Sequence, residues 1–324
     1  NIQNQWHPEK LKLWVLENGK IINLMKSKIL PIAGDASFRT FYRFILNKKS
    51  KIIVSVKKEK YKNLIAYCAV NTFLRKNKIL SPKLFTHNLE KGIIVIEDFG
   101  DTSFHKVLLK KKKKITTYKK IVDLLLKIQK IKAKSKIKSI VTKPHRIKIY
   151  SNKHLHKESD LFFNWYLPLF FKKKKVLSIK KKTRKILSKL YENLNFPNTC
   201  FVHKDYHAEN LMKVGKKIGI IDNQDALIGN PAYDLVSLID DVRIKTSKKL
   251  KNQIYNYYIK KTPKFGKNNS EKFLEDFNIL SIQRSLKIIG IFSRLFIRDK
   301  KDKYLKLIPY AWELLEMRIG SEFF

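Results

Sequence analysis

Residues 203–210 read HKDYHAEN, and twelve positions after Asn210 the chain reaches Asp222 within GIIDNQD (219–225). The preceding CFVH (200–203) is β-branched and aromatic, so it reads as a strand that delivers Asp205 into a loop. LMKV (211–214) and IGII (218–221) read as two short strands around Gly215-Lys216-Lys217. They should pair as a hairpin with Asn210 and Asp222 at its open end, where facing residues lie about 4.5–5.5 Å apart. An amide oxygen and a carboxylate are therefore expected to converge, with the Asp205 carboxylate just upstream. Few, hard oxygen ligands suit Mg²⁺, which keeps several waters and is completed by substrate phosphates. Asp205 could then accept a hydroxyl proton while Asn210 and Asp222 hold the metal on a nucleotide. Alone, D-x-x-x-x-N would be ordinary turn chemistry. Here His203, Asp205, His207, Asn210 and Asp222 share one strand–loop–hairpin unit, the arrangement of kinase-type phosphoryl transfer.

Outward from this unit the chain changes texture. Residues 1–98 are strand-rich: FYRFIL (41–46) and KIIVSVKK (51–58) flank the polar turn 47–50 and suggest a hairpin. A helix is expected from about Lys62 to Asn77, ended by Ser81-Pro82, and GIIVIED (92–98) is a further strand. Beyond residue 100 the periodicity is helical. Ile121, Leu124, Leu125 and Ile128 form one stripe, as do Leu235, Leu238, Ile239 and Val242, and again Ile282, Leu286, Ile289 and Phe296. DLFFNWYLPLFF (160–171) reads as an aromatic helix with Pro168 near its end. The expectation is an α+β, bilobal chain: a small β-rich N-lobe over 1–98 and a larger helical C-lobe over 99–324, with ligand in the cleft between them.

The 324 residues suffice for a substantial core, and 44% hydrophobic with 12% aromatic residues is globular composition. The formal charge of +44 would attract phosphate backbones. Yet only ten of the 71 basic residues are Arg, and base reading favours its planar fork. Runs such as Lys110–Lys114 and Lys172–Lys175 read as solvated surface, and nucleic acid is disfavoured as a partner. Cys68 and Cys200 have no metal-ligand spacing. No signal peptide or membrane-length apolar run is evident, so a cytoplasmic protein is expected.

Four blocks, IAGDASFRTFYR, VHKDYHAENLM, IGIIDNQDALIGNPAYDLVSLIDDVR and QRSLKIIGIFSRL, resemble the aminoglycoside-phosphotransferase-like superfamily of small-molecule kinases, whose fold is protein-kinase-like. Within it they are most similar to the anomeric N-acetylmuramate/N-acetylglucosamine kinases of bacterial cell-wall recycling. The resemblance spans about residues 30–317, weakest over 110–195. It implies that Asp205 is the catalytic base and that Asn210 and Asp222 are metal ligands, with ATP (or GTP) and Mg²⁺ as cofactors and an amino sugar as acceptor. Gly34-Asp35-Ala36-Ser37 matches the nucleotide loop, or is a plain tight turn. Glu97-Asp98-Phe99 falls where the hinge meets adenine through backbone groups. Asp234 matches a residue that, with His203, Lys204 and His207, steadies the catalytic loop; physically it also reads as a helix-start acid after Pro231.

Several positions depart from the family pattern. Lys204 stands where Arg is usual, Asn223 replaces an aromatic residue, and SVKKEK (55–60) stands where MDAPP is typical. Lys57 ends a strand as a phosphate-binding lysine would, but the following helix offers no acid to pair with it, so it reads equally as surface. Asn223, Gln224 and Asp225 are candidates for sugar hydroxyls or the N-acetyl group. Arg284 could meet a lactyl carboxylate or be a surface Arg, and Glu158 could line the acceptor side or be a helix-start acid. Rival readings are the same chemistry on an aminoglycoside, choline or homoserine, and a catalytically silent basic scaffold that binds nucleic acid. The sequence carries no signal for oligomeric state.

Overall fold

The computed structural model describes residues 9–10, 27–32, 39–57, 61–141, 143–265 and 269–320. They fall into two compact units. The first comprises the described part of Asn1–Ser103 with Lys136–Ile147 and Asn210–Asp225, and the second comprises Phe104–Ser135, Lys148–Glu209 and the described part of Ala226–Phe324.

The first unit is built on an antiparallel sheet in the order β1-β2-β3-β5-β4: β1 (Ser27–Ile32), β2 (Thr40–Leu46), β3 (Lys49–Ser55), β4 (Leu84–Asn88) and β5 (Ile93–Glu97). Leu46 pairs with Lys49, so the β2–β3 turn holds two residues, tighter than the polar run suggests. Asn47 and Lys48 both adopt positive φ, 48° and 62°, the twist that two-residue hairpins require. Side-chain alternation puts Ile93 and Val95 with Tyr42, Phe44 and Ile53 on one face of the sheet. Ile94 and Ile96 point the other way, onto Leu64, Tyr67 and Cys68 of helix α1 (Tyr61–Lys76). Two small hairpins complete the unit: β6 (Lys136–Ile137) with β7 (His145–Arg146), and β9 (Leu211–Val214) with β10 (Lys217–Ile220). The latter is docked by Lys213 N donating to Thr102 O (2.8 Å) and Ile220 N to Leu80 O (2.8 Å).

The second unit is helical: α2 (Phe104–Lys110), α3 (Ile115–Gln129), α4 (Asn152–Leu161), α5 (Lys173–Glu192), α6 (Ala232–Ile239), α7 (Lys248–Lys261), α8 (Ser270–Asp299) and α9 (Ile308–Ile319). Its short strands β8 (Cys200–Val202) and β11 (Leu227–Gly229) pair antiparallel. The aromatic run expected to be one helix over 160–171 instead continues α4 through a wide π-type turn at 162–166 and a tight turn at 167–169. Gly290 of α8 sits against this junction. A Cβ there would stand 2.3 Å from the Leu161 carbonyl carbon, so only glycine admits the close approach.

Candidate functional site

In the second unit β8 ends at Val202 and the chain turns through His203, Lys204 and Asp205. Asp234, in the first turn of α6, accepts from both His203 N (2.7 Å) and Lys204 N (3.0 Å). It is at once a helix-start acid and the brace of the loop. Burial pushes its carboxyl up to about 6, against the pull of His203 and the two amides. Lys204 adopts φ 80°, a left-handed conformation, and Tyr206 anchors the far side of the loop by donating to Ile121 O (2.8 Å). His207 N donates to Asp205 O (2.9 Å), and burial holds the His207 ring down at about 3, so it is neutral.

The Asp205 carboxylate faces cations from α8. Arg284 Nη1 lies 3.5 Å and Lys287 Nζ 3.9 Å from Oδ1. Burial would raise its pKa, but Lys287, Arg284 and Lys204 outweigh that and hold it well below the usual carboxylate range. Lys287 also faces Glu158 (3.5 Å), which pairs with Lys204 (2.8 Å) and accepts from the Tyr150 hydroxyl. Burial disfavours the charge on Glu158, yet Lys287 and Lys204 prevail and lower it to about 2. Two expectations change here. Arg284 is 3% exposed, and its Nη1 faces Lys204 O (3.2 Å) and Asp205 (3.5 Å), so it is not a surface residue. Glu158 is the seventh residue of α4, not a helix-start acid, and its carboxylate meets Lys204, Lys287 and Tyr150. Sequence reasoning missed Lys287 and Tyr150. The available signal was a pair of cations at 284 and 287, one turn apart on the face of α8 opposite its apolar stripe.

In the first unit Ile221 N donates to Asn210 O (3.0 Å), so Asn210 faces Ile221 and Asp222 stands one residue beyond the expected pairing. Asp222 compensates by adopting φ 62°, which turns the chain out of β10. Arg39, also missed, binds the Asp222 carboxylate and donates to Gln224 Oε1 (2.8 Å). Gln224 in turn donates to Asp225 (3.0 Å). Asn223 is fully buried and donates to Asn71 of α1 (2.6 Å), so it fastens the loop and is not placed to meet a sugar. The hairpin packs on Phe99: a Cβ on Gly219 would stand 2.5 Å from its ring. Asp98 is gripped by Arg43 (2.6 and 3.2 Å), which also reaches Asp101 (2.9 and 2.8 Å), while Glu97 accepts from Lys83 N (3.0 Å). Lys57 is exposed, two residues past β3. Gly34, Asp35, Ala36 and Ser37 lie outside the described residues.

Among the described residues no cluster of three or more His, Cys, Asp or Glu side chains could form an all-protein metal cage. The donor set at the hairpin mouth, one amide and one carboxylate, fits Mg²⁺, which takes few protein ligands and leaves the rest to phosphates and water. No helix in the same residues is long and apolar enough to cross a membrane.

The fold is that of the protein-kinase-like phosphotransferases. Plasmodium vivax ethanolamine kinase superposes with a TM-score of 0.65 at 14% identity, covering 100% of this chain and 93% of that one. A spectinomycin phosphotransferase in complex with ADP and spectinomycin superposes at 0.61 and 14% identity, covering 98% and 99%. At the level of sequence, the model of the phosphotransferase enzyme family matches residues 28–266, and the chain belongs to that family. It is similar to the N-acetylmuramate/N-acetylglucosamine kinase of Pseudomonas aeruginosa, at 26% identity over 297 residues, 91% of this chain and 84% of that protein. The resemblance read from the four sequence blocks is thus borne out: the chain is a small-molecule kinase, and it uses a nucleotide.

Proposed function

We propose that this kinase uses ATP and Mg²⁺ to phosphorylate the anomeric hydroxyl of N-acetylmuramate or N-acetylglucosamine. The reading rests on Asp205, held ionised by Arg284 and Lys287 on a loop fixed by Asp234, together with the named relatives. Asp205 orients the acceptor hydroxyl toward the γ-phosphate and receives its proton as the O–P bond forms. A carboxylate with cations on one oxygen is a weak base, which suits a hemiacetal hydroxyl, made more acidic than an ordinary alcohol by the neighbouring ring oxygen. Asn210 and Asp222 would hold the metal, which supplies charge neutralisation across the transferring phosphates.

The charges near Asp205 also bear on the acceptor. The carboxylates of Asp205 and Glu158 are already paired with Lys204, Arg284 and Lys287, so they leave little acidic charge to attract a cationic aminoglycoside or choline. The test is ADP release with Mg-ATP against both N-acetylated sugars, glucosamine, choline and an aminoglycoside, each with an Asp205→Asn control. Turnover confined to the N-acetylated sugars, lost by about 10²-fold or more in a folded control, is expected. A fully active Asp205→Asn enzyme would refute the role given to Asp205.

A further inference from the structure

Kinases of this fold commonly hold the nucleotide phosphates with a strand lysine that pairs with a helix acid. Among the described residues that pair is not built in the usual way. Lys57, at the corresponding strand end, is exposed and lies past the last residue of β3. Helix α1, which follows, has the sequence YKNLIAYCAVNTFLRK and contains no Asp or Glu. The negative charge that such a lysine would balance therefore has to be met from elsewhere in the unit.

Arg39 meets it. It immediately precedes β2, directly after the 33–38 segment that resembles a nucleotide loop. Its side chain is only 8% exposed, with the guanidinium 5.5 Å from the Phe41 ring centroid and 5.9 Å from that of Tyr67. Both ends of the fork are directed at the exit of the β9–β10 hairpin, one onto Asp222 and one onto Gln224. A planar cation on two aromatic faces is pre-ordered, and its spacing matches two oxygens of a carboxylate or a phosphate alike. Asp222, by contrast, has a side chain 36% exposed at a backbone kink, open to a second cation.

We infer that Arg39 is the phosphate-binding cation of this kinase in place of Lys57, and that Asp222 holds it until nucleotide arrives. When the metal takes the Asp222 carboxylate, the guanidinium is released to the nucleotide's anionic oxygens, so metal and phosphate binding are coupled through one side chain. This rests on the kinase reading above and gives a role to Arg39 that the reading of the sequence left unassigned.

The experiment is equilibrium binding of ADP by calorimetry, without sugar, in excess Mg²⁺ and in EDTA. In Mg²⁺, Arg39→Met should bind at least tenfold more weakly than wild type. Arg39→Lys should fall between the two, and Lys57→Met should match wild type. In EDTA, Asp222→Asn should bind more tightly than wild type because Arg39 is no longer claimed. That gain should vanish when Arg39→Met is added, which separates release of Arg39 from simple loss of repulsion. Circular dichroism establishes that each variant is folded. Arg39→Met binding as tightly as wild type, Lys57→Met weakening binding as much as Arg39→Met, or an EDTA gain that survives in the double variant would each overturn the inference. Wild-type protein that binds no nucleotide at all would instead overturn the kinase reading.

Discussion

At the scale of single residues, the character of Asp205 is set by Lys287. Burial alone would make this carboxyl a stronger base, and the cations on α8 reverse that outcome. The sign of the pH dependence follows. A depressed pKa keeps Asp205 ionised throughout the neutral range, so protonation of this group does not limit wild-type turnover there. Lys287→Met removes one cation and leaves the burial, so the pKa rises and loss of activity on the acid side moves to higher pH. In kcat/KM profiles carried to the lowest pH at which the protein stays folded, activity should fall at a higher pH in the variant than in the wild type. Each tenfold change in the acid dissociation constant corresponds to about 1.4 kcal/mol. An unchanged profile with uniformly lower kcat would mean that Lys287 serves packing alone. Asp205, Asn210 and Asp222 were legible in the sequence because their spacing is local. Arg39 and Lys287 were not, because their partners lie on elements distant in the chain and only tertiary packing brings them together.

At the scale of elements, legibility followed burial. Strand β5 announced itself as a short continuous apolar run ended by turn residues, and helix α8 by an apolar stripe at helical spacing, because both are buried over most of their length. Strands β1 and β4 did not, since they are the two edges of the sheet, largely unburied, and one carries Pro31. The π-type turn at 162–166 was hidden by a run of aromatic residues that continues the apolar pattern through it. An ionic knot ties three helices of the second unit to the end of α6. Asp240, which caps α6, takes Lys251 of α7 (2.9 Å), Ser281 of α8 (2.7 Å) and Arg318 of α9 (3.0 and 3.1 Å). Asp240 and Lys251 are almost fully buried, so Asp240→Ala strands an ammonium without its counter-ion. The expected loss is about 3–5 kcal/mol in urea unfolding. Arg318→Met should cost less, because the Asp240–Lys251 pair survives. Equal and small losses for both variants would show the knot to be solvated.

At the scale of the whole molecule, the distribution of Arg explains the charge. Arg39, Arg43, Arg75, Arg184, Arg243, Arg284, Arg298 and Arg318 all form ion pairs, eight of the ten in the chain. Arg persists where a fork on a carboxylate is used, while Lys fills surface where any hydrated cation serves. That pattern supports reading the +44 charge as compositional, with the chemistry confined to a few arginines and buried lysines. The central claim concerns where phosphate is placed, and ³¹P NMR of the reaction of N-acetylglucosamine with Mg-ATP reads it directly. The expected product is a sugar monophosphate whose phosphorus couples to the anomeric proton, absent with Asp205→Asn. A phosphomonoester coupled instead to the C6 methylene protons, or formation only with choline or an aminoglycoside, would contradict it.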